Sequence, residues 1–259
     1  MMRSQPDQDP LREPSQPETL PPAREWSFLD LAAFGVFFAL TLLLLPLGAM
    51  RIMRIFRPDL RFEDLTTVEL LLLQGVMHLL LVTFIVFHVK IVHRRSFRAT
   101  IHWFHNYQFG VGYLITLGAV LAISVLVASS FFPPSAPTPI EKLLTSARSL
   151  YVFAILGIAV APLAEEIIFR GFVFKVLSDL RGPALAVPAT AGLFALLHAP
   201  QLGGNWPAVV LILVVGYVLS LVRQKSDSLI PCFIIHTTYN ASLFGIYALG
   251  SLVQRGVQP

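Results

Sequence analysis

Apolar runs close to the roughly 20 residues that carry an α-helix across a bilayer dominate this chain. They lie at about 28–50, 67–89, 109–132 and 150–180, in a fifth stretch ending near 198, and at about 208–222 and 229–249. With 55% hydrophobic and 13% charged residues, the composition is too apolar for an ordinary soluble domain. The expected fold is all-α: a polytopic membrane helix bundle of about seven to eight transmembrane helices with a membrane-embedded active site. Residues 1–25 are rich in Pro, Gln, Asp and Glu and are expected to be a disordered tail. They hold no apolar core of a cleaved signal, so the first span is expected to serve as an uncleaved anchor.

The net charge of +4 comes largely from arginines between the apolar runs. It reads as topology signal and contact with an anionic lipid bilayer, not as nucleic-acid binding. With seven crossings, Arg3, Arg12, Arg24, Lys90, Arg94, Arg95, Arg98, Lys175, Arg181, Arg223 and Lys225 share one side. The smaller set around Arg51, Arg54, Arg57 and Arg61 takes the other. The larger set predicts a cytoplasmic N-terminus in a multi-pass protein of the cell membrane. Cys232 is the single cysteine, so no intrachain disulfide forms. Oligomeric state is not readable.

Several polar residues in the first half have structural readings. Thr66-x-x-Glu69 is a capping box. His78, deep in the second span, is expected to hydrogen-bond a neighbouring helix. Metal binding by His88, His93, His102 and His105 is one reading, but their irregular spacing fits no helical pair, so the basic segment from Lys90 to Arg98 is expected to be an interfacial loop, anchored by Trp103 and Tyr107. Thr138-Pro139-Ile140-Glu141 is expected to open a short amphipathic helix lying at the interface. The expected organisation is a tail (1–25), N-terminal spans with the interfacial helix (26–149), a catalytic core (150–250) and a C-terminal tail (251–259), with no internal repeat.

Chemistry concentrates in Ala161-Pro162-Leu163-Ala164-Glu165-Glu166-Ile167-Ile168-Phe169-Arg170-Gly171. Ionisable groups at membrane depth mark a functional site by default. Glu166 and Arg170 are four residues apart and share a helix face, whereas Glu165 is turned about 100° away. One carboxylate is thereby neutralised while the other stays free. The run at 150–180 is about 46 Å long as helix, longer than a hydrocarbon core of about 30 Å. Pro162 is expected to kink or break it. Farther on, Phe194 and His198 share a face, as do His236 and Asn240. Two carboxylates, two histidines, an asparagine and an arginine supply what hydrolysis needs: a base, a partner that orients water, and oxyanion donors.

Glu165-Glu166-x-x-x-Arg170-Gly171, then Phe194-x-x-x-His198, then His236-x-x-x-Asn240 resemble the three motifs of the CAAX protease and bacteriocin-processing family. These are intramembrane endopeptidases related to the type II CAAX prenyl protease. The resemblance covers about 150–249, and no motif position departs from the pattern. It implies that Glu165 and His198 activate the attacking water, that His236 and Asn240 stabilise the oxyanion, and that Glu166 and Arg170, with Phe194, support the site. Glu, His and His plus water is also a known catalytic zinc set, so Glu165, His198 and His236 stand as candidate Zn²⁺ ligands. The mechanism ascribed to prenyl-protease relatives is instead metal-free, and that is the reading preferred here.

Other membrane-protease chemistries lack their residues. There is no His-Glu-x-x-His, no Gly-x-Ser-x-Gly and no pair of intramembrane aspartates. The implied partner is a membrane-associated protein or peptide. A prenylated C-terminus, a bacteriocin leader and other membrane-near peptides are all compatible. A non-proteolytic scaffold or transporter-like binding protein is the alternative function.

Overall fold

A computed structural model describes residues 25–105, 107–133 and 147–256. The tail at 1–24 and the interfacial helix expected from Thr138 lie outside the described residues. All regular structure among the described residues is helical, since a backbone in hydrocarbon must satisfy its polar groups internally. The helices are α1 (Phe28–Phe56), α2 (Thr67–Phe87), the single turn α3 (Phe97–Thr100), α4 (Val111–Ser130), α5 (Arg148–Arg181), α6 (Pro183–His198), α7 (Trp206–Ser226) and α8 (Ile230–Gly256). Among the described residues, six helical stretches are long and apolar enough to cross a membrane: α1, α2 with its following turn, α4, α5, α6 with its following turn, and α7. The seventh expected span forms α8, 27 residues long. Leu43, Leu47, Ile115 and Val127 are among the large apolar side chains facing outward, where lipid would cover them. The chain is a multi-pass membrane protein.

The helix ends follow local chemistry. Glu69 closes the capping box of α2: its carboxylate accepts from the Thr66 N–H at 2.8 Å, and its own N–H donates to the Thr66 hydroxyl at 3.3 Å. Glu69 also pairs with Arg57 across the α1–α2 turn. Gly182, at φ +81°, supplies the left-handed backbone that turns α5 into α6. At one end of the bundle, the Arg181 guanidinium lies 5.3 Å from the Phe28 ring centre. There too, the Leu229 N–H donates to the His102 carbonyl at 2.9 Å, and the Ser228 hydroxyl to the Phe104 carbonyl at 2.6 Å. The start of α1, the segment after α2, the end of α5 and the α7–α8 turn thus meet at one end, as alternating crossings require.

The histidines after α2 depart from expectation. His88 and His93 are buried, not interfacial. Residues His88–Val92 form a π-turn in which the His93 N–H donates to the His88 carbonyl five residues back, at 3.1 Å. A five-residue spacing fits no α-helical pair, but a π-turn stacks such residues on one face. Both rings reach Asp30 on α1.

Helices pack where small residues let backbones approach, as is usual in membranes. A Cβ on Gly118 of α4 would stand 2.6 Å from the Ile235 carbonyl and 2.8 Å from Thr238 Cβ on α8. On Gly216 of α7 it would meet Ala191 of α6 at 3.3 Å. Gly118→Ala therefore has to push α4 from α8 beside His236. It should destabilise by about 1–3 kcal/mol, the usual range for overpacking, read as a lower melting temperature in detergent; Gly112→Ala, which meets nothing within 4 Å, is the control.

Candidate active site

α5 is one continuous helix, so Pro162 does not break it. Ahead of the proline the helix widens into a π-turn at Leu156–Val160, where the Ala161 N–H bonds the Leu156 carbonyl. That widening makes room for the proline ring. Ala161 has skipped the Gly157 carbonyl, and Pro162 has no N–H to offer it. The orphaned oxygen accepts from the Asn240 side-chain amide at 2.7 Å. Because a carbonyl only accepts, the amide nitrogen must face it, which fixes the orientation of Asn240 and leaves its second N–H available.

The two carboxylates of α5 point to different surroundings. Glu166 is fully buried. Its Oε1 accepts from Arg170 Nη1 at 3.0 Å and from His236 Nδ1 at 2.8 Å. Arg170, equally buried, donates from Nη2 to the Gly216 carbonyl at 2.9 Å, and its guanidinium lies 4.5 Å from the Phe194 ring centre. The i,i+4 pair expected from the sequence thus joins α5 to α6, α7 and α8. Such extra hydrogen bonds are what make a buried ion pair tolerable.

Glu165 faces a cavity of about 460 Å³ whose walls include Phe194, His198, His236 and Asn240. Val125, Leu126 and Phe132, with Leu243, Phe244 and Tyr247 of α8, make much of the wall apolar. Three imidazole Nε2 atoms surround the carboxylate: His78 lies 3.8 Å from Oε1, and His198 and His236 lie 3.9 and 3.7 Å from Oε2. All three are beyond hydrogen-bond range. Glu165 therefore keeps its lone pairs for whatever enters the cavity.

Two of these rings have their tautomer fixed from behind. His198 Nδ1 lies 2.7 Å from the Phe194 carbonyl, and His236 Nδ1 lies 2.8 Å from Glu166. Both partners are acceptors, so each Nδ1 carries a proton and each ring turns its Nε2 to Glu165. Phe194 packs against both rings, with centroids 4.3 Å from His198 and 5.8 Å from His236.

All the residues singled out from the motifs meet here. Glu165, Phe194, His198, His236 and Asn240 line the cavity, and Glu166 and Arg170 lie behind it. His78 was missed. It is not bonded as interhelical glue but turned to Glu165, and a smaller cavity of about 120 Å³ that it lines adjoins the first at Gln74 and Gly157. The available signal was Gln74, one turn before His78 on the same face of an otherwise apolar span.

The donor set is a poor fit to a three-ligand metal site. Among the described residues, only Asp30, His88 and His93 bring one ligand atom each within 4.8 Å of one another. Glu165, His198 and His236 do not.

The Glu166–Arg170 pair yields a stability test. Glu166→Gln leaves a buried guanidinium without its counter-charge, which typically costs about 3–5 kcal/mol. The variant should lose melting temperature or yield, and a Glu166→Gln, Arg170→Met double variant should recover part of the loss. A Glu166→Gln protein as stable as the parent would show that the pair does not hold the site.

Residues 147–242 match a family model described as type II CAAX prenyl endopeptidase Rce1-like. The matched segment contains Glu165, Glu166, Arg170, Phe194, His198, His236 and Asn240, so the resemblance read from the motifs is borne out. A similar curated protein is the UPF0177 protein YxdF of Lactococcus lactis subsp. lactis (strain IL1403). It is 29% identical over 139 residues, covering 54% of this chain and 70% of that protein. No solved structure matches the chain.

Proposed function

We propose, from the match of residues 147–242 to the family model described as type II CAAX prenyl endopeptidase Rce1-like, that this protein hydrolyses a peptide bond of a membrane-associated protein or peptide. That family is one of proteases. The observation that carries the reading is Glu165: a carboxylate without a direct hydrogen bond among the described residues, ringed by three imidazole nitrogens at 3.7–3.9 Å on the wall of a largely apolar cavity.

A water beside Glu165 and His198 gives one proton to the Glu165 carboxylate as its oxygen attacks the scissile carbonyl carbon. The bare Nε2 of His198 accepts the water's other hydrogen as a hydrogen bond and orients it. The carbonyl π electrons move to oxygen, and the resulting oxyanion is met by the second N–H of Asn240. In its protonated form, His236 donates from Nε2 as well, with Glu166 balancing the imidazolium from Nδ1. When the C–N bond breaks, Glu165 returns its proton to the departing amine. The products are a carboxylic acid and an amine, which become carboxylate and ammonium when the acid's proton passes to the amine, and Glu165 is ready for another water. No step here runs through a metal, in keeping with the spacing of the site's donor atoms. The apolar cavity wall suits the lipid-facing part of a substrate, prenylated or not.

Glu165→Gln keeps the shape of the side chain and removes the base. Activity against a membrane-peptide substrate should fall at least the ~10²-fold typical of losing general-base catalysis, with the melting temperature unchanged. Comparative proteomics of membranes carrying this variant should show uncleaved protein accumulating. A Glu165→Gln protein that fully supports the cellular role of the parent would instead favour a non-proteolytic scaffold. Chelator-stripped protein, assayed well below its melting temperature, should keep its activity; loss of turnover restored by stoichiometric zinc would overturn the metal-free reading.

The basic residues at the end of the bundle shared by Arg181 and the segment after α2 support an N-terminus in the cytoplasm of a cell-membrane protein. A reporter fused at Arg3 should be accessible only from inside the cell, and labelling solely from outside would reverse the orientation.

A further inference from the structure

We infer that Asp30, His88 and His93 form a structural site for a divalent transition metal, with zinc the ion that suits their donor set. Each residue contributes one ligand atom, and the three atoms lie within 4.8 Å of one another. All three side chains are buried, His93 completely. His88 Nε2 lies 2.8 Å, and His93 Nε2 2.9 Å, from the same oxygen, Asp30 Oδ1. The other oxygen, Oδ2, is held away by the Ser27 N–H at 2.7 Å and the Ser27 hydroxyl at 3.0 Å. One carboxylate oxygen is thus oriented from behind while the other faces two imidazole nitrogens. Outer hydrogen bonds of that kind orient metal-binding carboxylates.

Two imidazoles and one carboxylate suit zinc and its first-row neighbours, whereas magnesium and calcium prefer all-oxygen sets. Zinc takes nitrogen and oxygen at about 2.0–2.2 Å, which places tetrahedral ligands about 3.3 Å apart. The present contacts open to that spacing by about half an ångström, a movement within reach of side-chain rotation. The fourth position of a tetrahedral ion would fall to water. The Trp26 ring stacks on His93 at 3.9 Å between centroids and shields the cluster.

This site is separate from the cavity at Glu165. His88 is ten residues beyond His78, about 15 Å along the helix. Its place indicates a staple: Asp30 opens α1, and the histidines end α2. The ring of Phe172, on α5, packs edge-on to Trp26 at 5.8 Å and to His88 at 6.1 Å. A bound ion would therefore lock α1 to α2 against the helix that carries Glu165 and Glu166.

Direct hydrogen bonding alone is the competing account, and glutamine separates the two. A Gln amide at position 88 or 93 still donates to Asp30 but ligates zinc poorly. Full-length protein in nanodiscs, stripped with chelator and dialysed against zinc, should hold one ion per chain by elemental analysis. Its melting temperature should rise by at least about 2 °C. His88→Gln and His93→Gln should bind zinc at least ~10-fold more weakly and show no rise, while Glu165→Gln should retain both. Cobalt(II) added to the unmutated and Glu165→Gln proteins should give a tetrahedral visible absorption band, a readout that does not depend on the histidine variants folding. The inference is overturned if the parent chain takes up neither ion, if the histidine variants bind as well as the parent, or if only Glu165→Gln loses the metal.

Discussion

A carboxylate and a guanidinium held out of water in the middle of an apolar bundle constrain everything packed around them. Glu166 and Arg170 lie on one helix and pair their charges there, but their remaining hydrogen-bonding groups need partners from other helices. Arg170 draws in the Gly216 carbonyl of α7 and the face of the Phe194 ring on α6, and Glu166 draws in His236 on α8. Each partner relieves part of the desolvation cost. The same contacts fix how the four C-terminal helices meet. Glycine at 216 follows from this arrangement, because a side chain there would hold α6 and Phe194 away from the guanidinium.

The cluster also separates support from chemistry. Glu166 holds His236 by Nδ1, so the Nε2 of that ring is aimed at Glu165. The Phe194 carbonyl does the same for His198. Among the described residues Glu165 has no such tether, and it borders the cavity. Two adjacent acids of identical reach in the sequence therefore meet opposite environments, because a helix turns successive side chains by about 100°.

Departures from regular α-helix recur where polar side chains are positioned. The π-turn ahead of Pro162 leaves the Gly157 carbonyl for Asn240. A second, at Ile167–Val173, follows the two glutamates and carries Arg170. A third, after α2, sets His88 above His93 beside Asp30. At Gly157 and at His88 and His93, a helix that stayed strictly α would have turned the carbonyl or the side chain to a different neighbour.

Much was legible in the sequence. The apolar runs determined an all-helical membrane bundle, since hydrocarbon leaves a spanning backbone few other options. The four-residue spacings placed Glu166 with Arg170 and Phe194 with His198, because α-helical geometry brings such pairs onto one face. Three things were decided only by tertiary structure. His78 reaches Glu165 through the packing of α2 on α5, a contact between distant segments that no local spacing encodes. His88 and His93 come together through a π-turn, which a reading in α-helical periods cannot register. Pro162 is absorbed rather than breaking its helix, because an asparagine 78 residues farther along the chain satisfies the carbonyl it orphans. Local periodicity specifies which residues share a face; only packing decides what that face meets.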